Sequence, residues 1–100
     1  MKNSSMTRAR QLAKTLKHIS HPLRLLIICL LARSEMAAGE ITLSLGTTKG
    51  NISQHLRLLA DNGLIASRRS GNKIIYRIQD EKLVKLLDAM KKLYCPNFTI

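Results

Sequence analysis

A mainly α-helical domain carrying one β-hairpin near its end is predicted by three observations. Apolar residues recur at helical spacing in residues 6–19, in "SHPLRLLIICLLARSE", and in about 49–62 and 80–95. A short helical stretch near 37–45 is separated from the 49–62 stretch only by a tight turn at Gly46-Thr47. "LIASRRSGNKIIYRI" then reads as two strand-like runs around a Ser70-Gly71-Asn72 turn. A short helix and a tight turn before a polar-faced helix make a helix-turn-helix. A basic hairpin directly after it adds a wing.

Each element has a local reason. Met6, Leu12, Leu16 and Ile19 lie among basic residues and give an amphipathic first helix. Ser20 or His21 caps the second, and Pro22 falls in its first turn, where a missing N–H costs nothing. Residues 25–31 are apolar on every side, so this helix is expected to be buried all round, at the centre of the fold. Thr48 caps the helix from Lys49 to about Asn62; Gly63 ends it in the left-handed position, with Leu64 folding back. The last helix, about Asp80 to Cys95, opens on two acids that suit its dipole. Residues 1–100 therefore read as one winged-helix domain for DNA binding and dimerisation, with 5–10 flexible residues at its start and a short tail at 96–100.

With 100 residues, the chain has room for one modest core. Only 3% of residues are aromatic, so that core is built from leucine, isoleucine and methionine. On the last helix, Leu83, Val84, Leu86, Leu87, Met90, Leu93 and Tyr94 cover an arc of about 180°, against the roughly 100° that one core face requires. The surplus calls for a partner surface, and a second copy of the chain is expected to supply it.

The net charge is +11, and it is unevenly spread. Residues 1–34 carry +7 with no acid, and residues 46–79 carry +5. Such a field favours polyanions, nucleic acid before acidic membrane. The longest apolar run, Leu23 to Ala32, is too short to span a bilayer, and the polar start "MKNSSMTRAR" lacks the apolar heart of a signal peptide. A cytoplasmic location with reduced thiols is expected, without membrane contact. No carboxylate pair, nucleophile–base set or phosphate loop points to an enzyme, and nothing calls for a cofactor.

At about 100° per residue, Ile52, Leu56 and Leu59 share one side of the 48–62 helix. Opposite stand Gly50, Gln54 and Arg57, flanked by Asn51 and Ser53. Gln and Asn suit adenine edges, Ser reads several bases, and Arg or Lys suits guanine or phosphate. Gly50 has poor helix propensity, but a bare backbone lets a helix approach a groove closely. The hairpin offers Arg68, Arg69, Asn72 and Lys73 to phosphates or a narrow minor groove. His55 flanks the buried stripe, where it either touches a phosphate or packs half-buried.

"HPLRLLIICLL" followed by "GEITLSLGTTKGNISQHLRLLADNGLIASRRSGNKIIYRI" resembles the ArsR family of bacterial winged-helix transcription regulators, over roughly residues 12–95. The resemblance implies a homodimer joined by its first and last helices, binding double-stranded operator DNA of imperfect two-fold symmetry, most often as a repressor. Thr48, Lys49, Gly50, Asn51, Ser53, Gln54 and His55 match that family's DNA-reading helix. Thr47 stands where an apolar residue is common, and Lys49-Gly50 replaces a more usual polar pair; both departures bear on which operator is read.

Two cysteines remain, Cys29 in the apolar second helix and Cys95 beside Lys91 and Lys92 near the end of the last. On the last helix, Cys95 falls at the edge of the apolar arc, beside Val84. Metal sensors of the family carry a cysteine cluster before the turn or Asp/His ligands on the last helix. Here "AAGEITLSL" has neither Cys nor His, and "DEKLVKLLDAMKKLYC" has no His. Cys29, Cys95, His18 and His21 are the soft ligands available, at no spacing that announces a site, and no metal residue is assigned. The placement of the pair resembles the thiol- and persulfide-sensing branch that includes the SqrR, BigR and HlyU-type regulators. That likeness implies a Cys29–Cys95 dithiol linked, directly or through added sulfur, by oxidants or reactive sulfur species. Two alternatives stay open: a metal-responsive repressor of the same family, and a ligand-independent basic nucleic-acid binder with structural cysteines.

Overall fold

Pro22 and His21 set the start of the central helix. In the computed structural model, which describes residues 3–97, the chain runs α1 (Asn3–Ile19), α2 (Pro22–Arg33), β1 (Met36–Ala37), α3 (Ala38–Leu45), α4 (Lys49–Asp61), β2 (Ile65–Ser70), β3 (Lys73–Ile78) and α5 (Glu81–Tyr94). Residues 1–2 at the start, and 98–100 of the expected tail, lie outside the described residues. The first helix reaches back to Asn3, into the stretch expected to be flexible.

His21 is the N-cap of α2: its Nδ1 accepts the Leu23 N–H at 3.1 Å. The middle of α2, Ile27 to Leu31, is buried among α1, α3, α4, α5 and β3, and forms the floor of the core. The expectation of burial from residue 25 onward needs correcting, because Leu25 stays open on the side facing α5. Ile41 from α3, Ile52, Leu56 and Leu59 from α4, Leu64 and Ile65 behind the wing, and Leu83 and Leu87 from α5 complete the apolar cluster.

The sheet has three strands in the order β1-β3-β2, all antiparallel. The two-residue β1 pairs Met36 with Tyr76 and Ala37 with Ile75, so the wing is tied to the start of α3. That strand was not expected. The hairpin turn is tighter than the sequence suggested: Ser70 pairs with Lys73, which leaves Gly71-Asn72 as a two-residue loop. A positive φ of 64° at Gly71 and none at Asn72 is the type II′ pattern, whose twist matches the strands it joins.

Helix α4 ends in a Schellman motif. Gly63 adopts φ 77°, its N–H donates to the Ala60 carbonyl at 3.1 Å, and the Leu64 N–H reaches the Leu59 carbonyl at 3.0 Å. This turns buried Leu64 and Ile65 back under the helix and aims β2 away from it. The molecule measures 49 × 31 × 20 Å, elongated because α1 lies largely exposed along one side. No single helix among the described residues is long and apolar enough to cross a membrane.

Candidate nucleic-acid interface and thiol cleft

Helix α4 divides as the wheel predicts. Ile52, Leu56 and Leu59 are buried, while Lys49, Gly50, Asn51, Ser53, Gln54 and Arg57 face outward. Thr48 Oγ1 accepts the Asn51 N–H at 3.3 Å, and Asn51 Nδ2 donates to Thr47 Oγ1 at 3.3 Å, so the turn and the first helical residues are braced together. A Cβ at Gly50 would meet nothing within 4 Å. Packing inside the chain therefore does not demand a glycine there.

The helix start and the wing meet across one groove of about 590 Å³, lined in part by Lys49, Ser53, Asn72 and Lys73. Four of the residues singled out from sequence are thus brought to one place. Leu43 of α3 and Ile74 of the wing share this groove, and Leu43 is 84% exposed. Sequence reasoning passed over Leu43, although a leucine on the outer face of a short helix was a visible signal.

The remaining cations are held in different ways. Arg68 Nη1 pairs with Glu35 Oε2 at 2.9 Å, which draws its guanidinium from β2 across β3 toward the residue preceding β1. Arg69 Nε donates to the Gly71 carbonyl at 3.4 Å, and Arg57 lies 4.0 Å from Asp61 on its own helix. His55 lies at the edge of the buried stripe of α4. It is half-buried, with its ring 4.4 Å from that of the cap residue His21. Burial, then His21 and Arg24, push its pKa below the ordinary 6.5, so it stays neutral at neutral pH. His18, at the end of α1, has a buried Nε2 without a hydrogen-bond partner; burial first, with Lys14, Arg24 and Lys17, lowers its pKa too.

The two thiols, both free, open on a single cleft of about 220 Å³ between α2 and α5, lined by Leu25, Cys29, Leu87, Met90, Lys91, Tyr94 and Cys95. Cys29 is only 1% exposed, and Cys95 is exposed. Burial pushes the Cys29 thiol up, opposed by the nearby Lys91 ammonium. Cys95 ends α5, its N–H donating to the Lys91 carbonyl at 2.8 Å. Its placement beside Val84 is corrected: the two share an angular face but lie about 16 Å apart along the axis at 1.5 Å per residue, and Val84 lines a neighbouring cleft. Among the described residues no three His, Cys, Asp or Glu side chains converge as metal ligands would. Of the four soft ligands available, His21 Nδ1 is engaged as a helix cap, and neither His18 nor His21 lines the cysteine cleft.

A helix-turn-helix with a wing, basic on both, defines a DNA-binding regulator rather than an enzyme. The chain belongs to the family described as bacterial regulatory protein, arsR family, whose model matches residues 21–67. It is 43% identical to the HTH-type transcriptional regulator YgaV of Escherichia coli, over 88% of this chain and 90% of that protein. The solved transcriptional repressor BigR from Xylella fastidiosa is 33% identical, with a TM-score of 0.86 over 95% of this chain and 98% of that one. A homodimeric winged helix-turn-helix DNA-binding domain from Mycobacterium bovis, 28% identical, covers 93% of this chain and 86% of its own with a TM-score of 0.80. This chain is accordingly a transcription regulator of the ArsR family.

Proposed function

We propose that the protein is a cytoplasmic homodimeric repressor whose affinity for operator DNA is switched by oxidants or reactive sulfur species through a Cys29–Cys95 dithiol. The observation that carries this reading is the shared cleft: two sulfurs far apart in sequence line one small apolar space between the central helix and the last. A bridge across it ties α5 to α2. By the loop-closure model, cross-linking a loop of this length removes roughly 4 kcal/mol of unfolded-chain entropy, enough to offset some strain in the folded state.

The partner surface is built on uncovered apolar side chains of α1 and α5. Leu93 and Tyr94 are 78% and 82% exposed on α5, and Met6, Leu12 and Leu16 are uncovered on α1. Pairing two copies through α1 and α5 buries these side chains and sets two α4 helices at about one duplex turn, 34–36 Å, facing successive major grooves of an operator with imperfect two-fold symmetry. Thr48, Lys49, Gly50, Asn51, Ser53, Gln54 and Arg57 then face base edges and phosphates, and Arg68, Arg69, Asn72 and Lys73 follow the flanking backbone. His55, at the edge of that face, is in reach of a phosphate while its ring lies against His21. Moving α5 against α2 shifts the two reading heads relative to each other. A coupling of about 1–3 kcal/mol changes operator affinity 5- to 150-fold.

The test titrates a duplex, selected from genomic DNA by the reduced protein, with protein that is reduced, polysulfide-treated, peroxide-treated or zinc-loaded. Polysulfide or peroxide is expected to weaken binding by the parent and to leave Cys29→Ser and Cys95→Ser unaffected. Equal responses from parent and variants would overturn the dithiol reading, and a response to zinc alone would favour the metal-responsive alternative.

A further inference from the structure

The two thiols share a cleft but not an environment, and the difference sets an order. Cys95 is exposed at the C-cap of α5, its N–H donating to the Lys91 carbonyl at 2.8 Å. Cys29 is 1% exposed, on a helix packed from every side of the core. Lys91 is the one cation lining the shared cleft; an adjoining cleft is also lined by Cys29 and Lys91, together with the charged Arg33, Lys85 and Asp88.

We propose that Cys95 takes the oxidant, that Cys29 closes the bridge, and that Lys91 is the positioning residue for the closing step. This rests on the dithiol reading above. With hydrogen peroxide, the Cys95 thiolate attacks one peroxide oxygen, the O–O bond breaks, and hydroxide leaves to become water on protonation. Cys95 is then a sulfenic acid whose sulfur is electrophilic and already inside the cleft. The Cys29 thiolate attacks that sulfur, the S–O bond breaks, and a second hydroxide leaves as water. Two thiols are oxidised by two electrons, and one peroxide becomes two waters.

The physical reasons differ for the two steps. Peroxide reacts with a thiolate that it can touch, which favours the exposed sulfur. Burial works against ionising Cys29 in the resting protein, and the Lys91 ammonium is the charge opposing it. That ammonium therefore matters where Cys29 must become a nucleophile, the step that follows capture of oxidant at Cys95. Movement needed to bring the sulfurs to bonding distance falls on Cys95, since it follows the last helical residue of α5 while Cys29 sits mid-helix.

The experiment follows sulfur oxidation by intact-mass and peptide mass spectrometry in DNA-free protein, with dimedone to trap sulfenic acid. Cys29→Ser is expected to accumulate the Cys95 adduct. Cys95→Ser is expected to label Cys29 at least about tenfold more slowly. Lys91→Met should leave the first step within about twofold, slow bridge closure by about tenfold or more, and move its pH profile upward; Lys91→Arg should restore it. Labelling of Cys29 in Cys95→Ser as fast as Cys95 in Cys29→Ser overturns the order. Equal slowing of both steps by Lys91→Met, or of neither, overturns the role of Lys91. Absence of any bridge at stoichiometric peroxide overturns both. A bridge that forms in this order without changing operator affinity leaves the order standing and removes the regulatory reading, so the two failures are distinct.

Discussion

Single side chains decide how the reading helix is supported. His21 serves two partners, accepting the Leu23 N–H through Nδ1 and laying its ring against His55 of α4. Burial of His55, with the His21 ring and Arg24 nearby, disfavours a charge on its imidazole. The lowered pKa of His55 means that the unfolded chain binds the proton more readily. Stability is therefore fully present above the ordinary value of 6.5 and declines as pH falls through it toward the lower folded-state value. Urea unfolding midpoints measured between about pH 7.5 and 5.5 should fall on the acid side, and His55→Gln should flatten the slope in part, His18 supplying the remainder. A parent protein equally stable across that range would contradict the burial of a neutral His55. In the wing, Lys73 lines the groove with Lys49, and Lys73→Ala should reduce the dependence of log affinity on log salt by about 0.9.

Elements were legible in proportion to how local their causes are. The 3.6-residue spacing of Ile52, Leu56 and Leu59, the Thr48 cap and the Gly63 stop are short-range facts, and α4 follows them closely. The same holds for the acids that open α5 and the strand pair around Gly71. What escaped was long-range. A two-residue strand such as β1 has no alternation to reveal it, since it exists only because β3 offers it an edge. No pattern connects His21 to His55 or Glu35 to Arg68; tertiary folding alone brings them together. Leu25 carries the same lesson, as an apolar side chain that intramolecular packing leaves uncovered. The candidate site was readable for α4 and the wing tip, and its cysteines were readable as a pair, but the cleft that joins them was not. Because Gly63 sits at φ 77°, Gly63→Ala should strain the Schellman turn. A cost of about 1 kcal/mol would lower Tm by roughly 4–8 °C for a domain of this size while reduced-state operator affinity stays near parental. A thermal scan unchanged by the substitution would contradict the strain.

The molecule as a whole joins the outward face of α4 and the wing to apolar side chains of α1 and α5 that its own core does not cover. The charge of +11 makes DNA association strongly salt-dependent, each phosphate contact contributing about 0.9 log units per decade of salt. A flat salt response would contradict the DNA face. The exposed Leu93 and Tyr94 predict a sedimentation equilibrium dominated by dimer, and Leu93→Glu should shift it toward monomer and weaken operator binding together. Between the two surfaces lies the cysteine cleft, where α2 touches both the DNA-reading and the dimer-forming halves. The most direct measurement separates fully reduced from Cys29–Cys95-bridged protein in one preparation and compares their affinities for the same operator at one salt concentration. Binding is expected to be weakened between about 5- and 150-fold by the bridge and recovered on reduction. Equal affinities for the two forms would contradict it.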